Sequence, residues 1–282
     1  MSPASHGDGD SPGPASASST TRTGTTYRTG IGASTPDTIL LLGQDLAHDL
    51  LGQVGFGELA FWLMAKRRPT PAQRTMFEAV LVALADHGFT PTAIAARLTY
   101  TSAPEALQGA VAAGLLGGGS RFLGVTEDAA RFLATSLARS SERPGDDAGW
   151  DELAAEVVTA TRAAGDLVPG LGHPVHKVED PRTPVLFELA RRHGTFGDHL
   201  ALFAAIGRVH PRILGRTLPL NGAGVCGAVL ADLDLPVSVM RGCALLARCA
   251  GLLGHLAEEE ADPVGMDIYL GVDRNIDYRP PE

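Results

Sequence analysis

Along most of this chain apolar side chains recur every three to four residues, the spacing that holds them on one face of an α-helix. After Pro71, a residue suited to a first helical turn, Met76, Phe77, Val80, Leu81 and Leu84 share a stripe, and "DHG" closes the run. In "WDELAAEVVTATRAAG" the stripe is Trp150, Leu153, Ala154, Val157 and Val158, with Gly165 as the stop. "TPVLFELARRHG" opens on Thr183-Pro184 and ends on Gly194. Leu235 to Glu260 reads as one long apolar helix that runs into an exposed acidic end, "EEEAD". Period-two alternation between hairpin turns is not sustained anywhere in the sequence. The pattern predicts an all-α fold, with helices from about residue 44 to 262.

Residues 1–36 are Ser, Thr, Gly, Pro and Asp with almost no large apolar side chains. Such a segment cannot bury enough surface to offset its ordering entropy, so a disordered tail is expected there. The folded part is expected to start near "DTILLLGQDL" at residue 37. It would comprise a large subdomain, residues 37–149 and 218–282, and a smaller one at about 150–217.

Composition narrows the class. Of the 282 residues, 44% are hydrophobic and 20% charged, ordinary for a water-soluble domain. Only 5% are aromatic, so small residues must do much of the packing between helices. A net charge of −9 argues against a nucleic-acid partner, which needs a broad basic face. Cys226, Cys243 and Cys249 have no metal-ligand spacing and read as reduced core residues. The first residues lack a charged n-region and apolar h-region. The apolar runs are broken by Gly, Arg or His before the roughly 20 residues that span a bilayer. A cytoplasmic protein without a membrane segment is expected.

Four stretches carry candidate chemistry. In "VPGLGHPVHKVEDPRTP", Gly170 and Gly172 free the backbone to approach a ligand, His173 follows, and Arg182 precedes a helix start. The guanidinium fork matches a carboxylate bidentately. The plainer reading is a polar turn in which Asp180 caps a helix and pairs with Arg182. In "ADHGFTPTAIAARLTYTS", His87 sits at a helix end, where it could simply satisfy the dipole. In "GLLGGGSRFLGV", three glycines precede Ser120 and Arg121, without the Lys-Ser/Thr of a phosphate loop. Finally, Asn221 opens a helix of very small residues, and Arg248 lies within the long apolar helix. A buried arginine needs an anion. Either Glu258 or Asp262 supplies it, or a bound carboxylate does. His255 reads as structural. His176 reads as a solvated loop residue or as one serving the coenzyme side.

Taken in order, these pieces resemble the citrate synthase superfamily over about residues 28–265, above all its citryl-CoA lyase branch and the corresponding module of ATP-citrate lyase. The most specific string is Gly172-His173 followed by Asp180-Pro181-Arg182. Asp86 to Gly88, Gly114 to Gly124, Asn221 and the run from Arg248 support it. The resemblance implies an all-α homodimer with its active site in a cleft between the subdomains. It implies carbon–carbon bond chemistry between an acyl-CoA such as acetyl-CoA and a keto acid such as oxaloacetate. A di- or tricarboxylate and a coenzyme A thioester would be the ligands, with no metal or prosthetic group. His173 and His87 would be catalytic. Arg182, Arg248, Asn221, Ser120 and Arg121 would meet the substrate, and Val168, Gly170, Leu171, Gly172 and Lys177 the coenzyme.

Three positions depart from that pattern. Ser120 and Leu123 stand where the lyase branch has Asp and Gly, and Ala223 stands where the family carries its catalytic aspartate, two residues after the Asn. Proton transfer would then fall to His87, His173, Ser120 or the thioester's surroundings. Three functions follow from this: a citryl-CoA-type lyase or synthase, a relative acting on another acyl-CoA or 2-keto acid, or a CoA-ester-binding pseudo-enzyme.

Overall fold

The computed structural model describes residues 25–140 and 142–281. Residues 1–24 of the expected tail lie outside the described residues. The remainder of the tail is partly ordered, which corrects the expected boundary. Gly32–Ser34 (β1) pairs antiparallel with Ile39–Leu41 (β2), and β2 pairs with Gln44–Asp45 (β3). Serine and threonine supply turn chemistry here: the Thr35 hydroxyl accepts from the amides of Asp37 and Thr38. Leu42 and Gly43 both take positive φ, 53° and 79°, the backbone that a two-residue hairpin needs. Strands this short leave no alternation to read.

Among the described residues a single π turn, Leu46–Leu50, leads into eleven helices: α1 Phe56–Ala65, α2 Pro71–Ala85, α3 Pro91–Ser102, α4 Leu107–Leu116, α5 Val125–Arg139, α6 Asp147–Ala163, α7 Arg182–Arg192, α8 Asp198–Leu214, α9 Gly222–Asp232, α10 Val237–Ala261 and α11 Gly265–Asp273. The all-α expectation holds, and α11 extends it beyond residue 262. Local chemistry explains the starts. Thr70 and Gln73 form a reciprocal capping box ahead of Pro71, and Thr90, Asp146 and Asn221 each accept an amide of their own first turn.

The main core is continuous, drawing Phe61, Phe77, Leu133, Phe203, Val229 and Met240 from six helices. At its centre α9 has nine of its eleven residues buried. Its small side chains decide how near its neighbours come: a Cβ on Gly227 would stand 2.2 Å from the Thr126 carbonyl oxygen of α5. Gly251 does the same for α10, where a Cβ would meet the Ala85 carbonyl oxygen at 2.0 Å. That close approach brings the middle of α10 to the end of α2. A smaller core joins α3, α4 and α10 through Ala93, Ala96, Ala110, Leu252 and Leu256.

One reading of α10 needs correction. By length and composition it is apolar enough to cross a membrane, although Arg248 and His255 interrupt it. Here it packs against α2, α3, α4 and α5 as a core helix. Its acidic end is not uniformly exposed. Glu259 is 3% exposed, bonds Arg97 at 2.8 Å, and accepts the Gly265 amide that starts α11.

Candidate active site

A cavity of about 570 Å³ opens where several helix ends converge. The loop from Leu167 to Val175 forms one wall, and the starts of α3, α7 and α9, the α4–α5 connection and α10 form the rest. Backbone pairing shapes the loop. Gly170 and Gly172 take φ of 88° and 85°, a region that favours glycine. The Gly172 amide donates to Pro219 O and the Asn221 amide to Gly170 O, both at 2.8 Å. His173 is thereby presented to the cavity.

The tautomer of His173 follows from its neighbours. Its Nδ1 accepts the amides of Val175 at 3.1 Å and His176 at 3.0 Å. An atom receiving two donors carries no proton, so the neutral ring bears its proton on Nε2. Burial lowers its pKa from 6.5 to about 4; Asp180 opposes this, while His176, His87 and Arg182 add to it. His173 is therefore a neutral hydrogen-bond donor near neutrality.

Arg182 and Asp180 satisfy both sequence readings at once. Asp180 is fully buried and grips Arg182 through two bonds, Nε to Oδ1 at 2.9 Å and Nη2 to Oδ2 at 2.7 Å. The same carboxylate accepts the amides of Arg182 and Gly222, joining the starts of α7 and α9. Burial would raise the Asp180 pKa, but these bonds and the arginine's charge hold it well below the usual range. Another Arg182 donor goes to Ala83 O at 3.1 Å. The guanidinium lines the cavity with its donors largely committed.

Arg248 is the contrast. It is 5% exposed, yet its nearest acceptors, Asp86 Oδ1 and Thr90 Oγ1, both lie at 3.5 Å, and its Nε has no partner. Burial lowers its pKa, Asp86 counters and Arg182 adds to the lowering. Neither anticipated partner, Glu258 or Asp262, reaches it; Glu258 and Glu259 pair instead with Arg97, which is wholly buried. Arg97 Nε also donates to His255 Nδ1 at 3.1 Å, so His255 carries its proton on Nε2 and donates to Asp86 Oδ1 at 2.9 Å. His255 is structural, as read, and it orients Asp86 beside Arg248. Only the adjacency of Asp86 to His87 hinted at this role, and Arg97 gave no signal in sequence.

His87 reaches the cavity from the end of α2. Its ring centroid is 5.1 Å from that of His173 and 5.5 Å from that of His176, and His173 and His176 are 4.5 Å apart. The rings form a triangle with nitrogens within 4.8 Å of one another. That spacing admits a metal ion, but the donor chemistry does not suit one: His173 Nε2, the atom free to coordinate, holds the proton, and Nδ1 is taken by two amides. His176 is half-buried in this group, which the sequence reading had not foreseen.

A family model described as citrate synthase, C-terminal domain, matches residues 17–267. The chain belongs to the citrate synthase family. Citryl-CoA lyase from Hydrogenobacter thermophilus superposes with a TM-score of 0.79 at 28% identity, covering 91% of this chain and 96% of that one. ATP citrate lyase from Methanothrix soehngenii, solved with citrate and coenzyme A, shares the fold with a TM-score of 0.73 at 24% identity, over 93% of this chain and 43% of that one. "Putative citrate synthase 2" of Mycobacterium tuberculosis (strain ATCC 25618 / H37Rv) is 27% identical over 195 residues, 68% of this chain. The chain spans about half the length (49%) of that curated relative.

The remaining family-implied residues divide. Ser120, Arg121, Val168, Gly170, Leu171 and Gly172 line the cavity. Ala223 lines it too and presents only a methyl group. Asn221 also lines it, but its amide is used: Nδ2 donates to Gly172 O and Oδ1 accepts from Gly224, both at 2.8 Å. The structure makes it a brace for the His173 loop. Lys177 turns back onto His173 O at 3.1 Å and stays exposed, outside the cavity lining. Asp128, which the sequence reading passed over, lines the cavity.

Proposed function

We propose that this chain makes or breaks a carbon–carbon bond in a coenzyme A thioester, with citryl-CoA cleaved to acetyl-CoA and oxaloacetate as the leading reaction. The observation that carries this reading is Arg248, a buried guanidinium with long contacts and an unmet Nε at a cavity wall. An incoming carboxylate would supply the missing acceptors, with charge-assisted bonds worth about 1.5–3 kcal/mol each. His173 stands in the same cavity as a neutral donor, suited to polarising a keto carbonyl or holding the corresponding hydroxyl. A second, larger cavity of about 930 Å³ shares Leu167 and Pro169 with the first, leaving room for an extended ligand such as a pantetheine arm. Likeness to a citryl-CoA lyase over most of both chains supports the lyase direction. The reading includes a homodimer, as the family resemblance implies, working in the cytoplasm; light scattering tests the dimer.

Purified protein given citryl-CoA is expected to release acetyl-CoA and oxaloacetate, followed by mass spectrometry. Turnover no faster than buffer across several 3-hydroxyacyl-CoA esters would end the lyase reading. Ala223 favours a second reading, a CoA-ester-binding protein that has lost its chemistry. Ala223→Asp separates the two: a large gain from near zero marks a decayed catalyst, and a loss marks a site rebuilt around alanine.

A further inference from the structure

Cleaving a 3-hydroxyacyl thioester moves one proton, off the hydroxyl oxygen and onto the acetyl carbon. Resting on the lyase reading, the question is which side chain carries it when position 223 holds only a methyl group. Apart from arginines, three ionisable side chains line the cavity among the described residues: His87, Asp128 and His173. His173 cannot accept a proton without losing its loop, because Nδ1 receives two amides and Nε2 is already protonated. Asp128 also lines the second cavity, so it stands where the two meet, and it faces Arg241 at 3.8 Å. His87 instead lies against His173, with rings 23° from parallel. Neither His87 nor His176 has a hydrogen-bond partner for its ring among the described residues.

We propose that His87 is the proton carrier of this site and that His176 positions it. On cleavage His87 accepts the hydroxyl proton. The hydroxyl oxygen becomes the keto-acid carbonyl, and the carbon–carbon bonding pair moves onto the acetyl carbon as a thioester enolate. Protonated His87 then gives the same proton to that carbon, so the ring ends as it began and no further reactant is consumed. His173 keeps its Nε2–H on the oxygen throughout. The titratable and charged groups gathered with His87 are His173 and His176 from the loop, Arg182 from α7, Arg248 from α10, Asp86 alongside and Asp180 behind Arg182. An imidazole at the end of α2 thus does the work that a carboxylate at 223 would do.

Two measurements test this. Nitrogen-15 NMR of the histidine rings in the unliganded full chain should show His173 as the Nε2–H tautomer from about pH 5 to about pH 9. An Nδ1–H tautomer there would return His173 to the list of bases and overturn the proposal. In citryl-CoA cleavage, His87→Gln should lower kcat about 10²–10⁴-fold with KM little changed, lose the acid limb of the pH profile, and regain rate with added imidazole. His176→Phe should shift that limb while KM holds, whereas Asp128→Asn should keep the limb in place. If His87→Gln keeps the limb and Asp128→Asn loses it, the carrier is Asp128 and the proposal fails. A wild-type protein that binds the ester but cleaves nothing defeats the lyase reading instead, a separate result.

Discussion

Arg182 and Arg248 line one cavity, yet their environments divide their work. Arg182 is held by Asp180 on two bonds and braces two helix starts, whereas Arg248 keeps an unmet donor. Arg248→Gln should therefore raise KM about 10–100-fold, the cost of one or two charge-assisted bonds, and Arg248→Lys should not restore it because the planar fork is gone. Asp180→Asn should act on the fold, lowering stability by about 3–5 kcal/mol in urea denaturation because it leaves a buried guanidinium without its counter-charge. His173 links pH to stability. Its folded pKa of about 4 lies below the ordinary 6.5, so between those values the unfolded chain binds a proton that the folded chain refuses. Stability should fall as pH drops through that window, and His173→Gln should flatten the slope of denaturation midpoint against pH.

At the scale of elements, close approach places the chemistry. α10 can lie against the end of α2 because Gly251 has no Cβ, and only then do Arg248 and His255 meet Asp86. Gly251→Ala should cost about 1–3 kcal/mol by overpacking, read in a thermal melt, and should reduce activity as well by drawing Arg248 away from Asp86. The helices themselves were legible. Pro71, Thr183-Pro184, Gly165 and Gly194 mark starts and stops that the structure reproduces within a residue or two. The hairpin of β1 to β3 was not, since its turn depends on a leucine at positive φ.

Across the whole molecule, the site depends on contacts that span large sequence separations. Arg97 lies 158 positions from His255 and 162 from Glu259, and their bonds join α3 to α10. Arg97→Ala should destabilise by about 3–5 kcal/mol in denaturant, since Glu259 would be left buried and uncompensated. The sequence by itself determined the all-α architecture, because caps, glycines and apolar periodicity act over a few residues, and the family resemblance of its four chemistry-bearing stretches named His87, His173, Arg182 and Arg248 as candidates. Only the tertiary structure decided which acid each arginine meets, that Asn221 braces a loop, that Lys177 faces away, and that His176 joins the other two imidazoles. Those outcomes turn on how near helices far apart in the chain can pack, which no local pattern encodes.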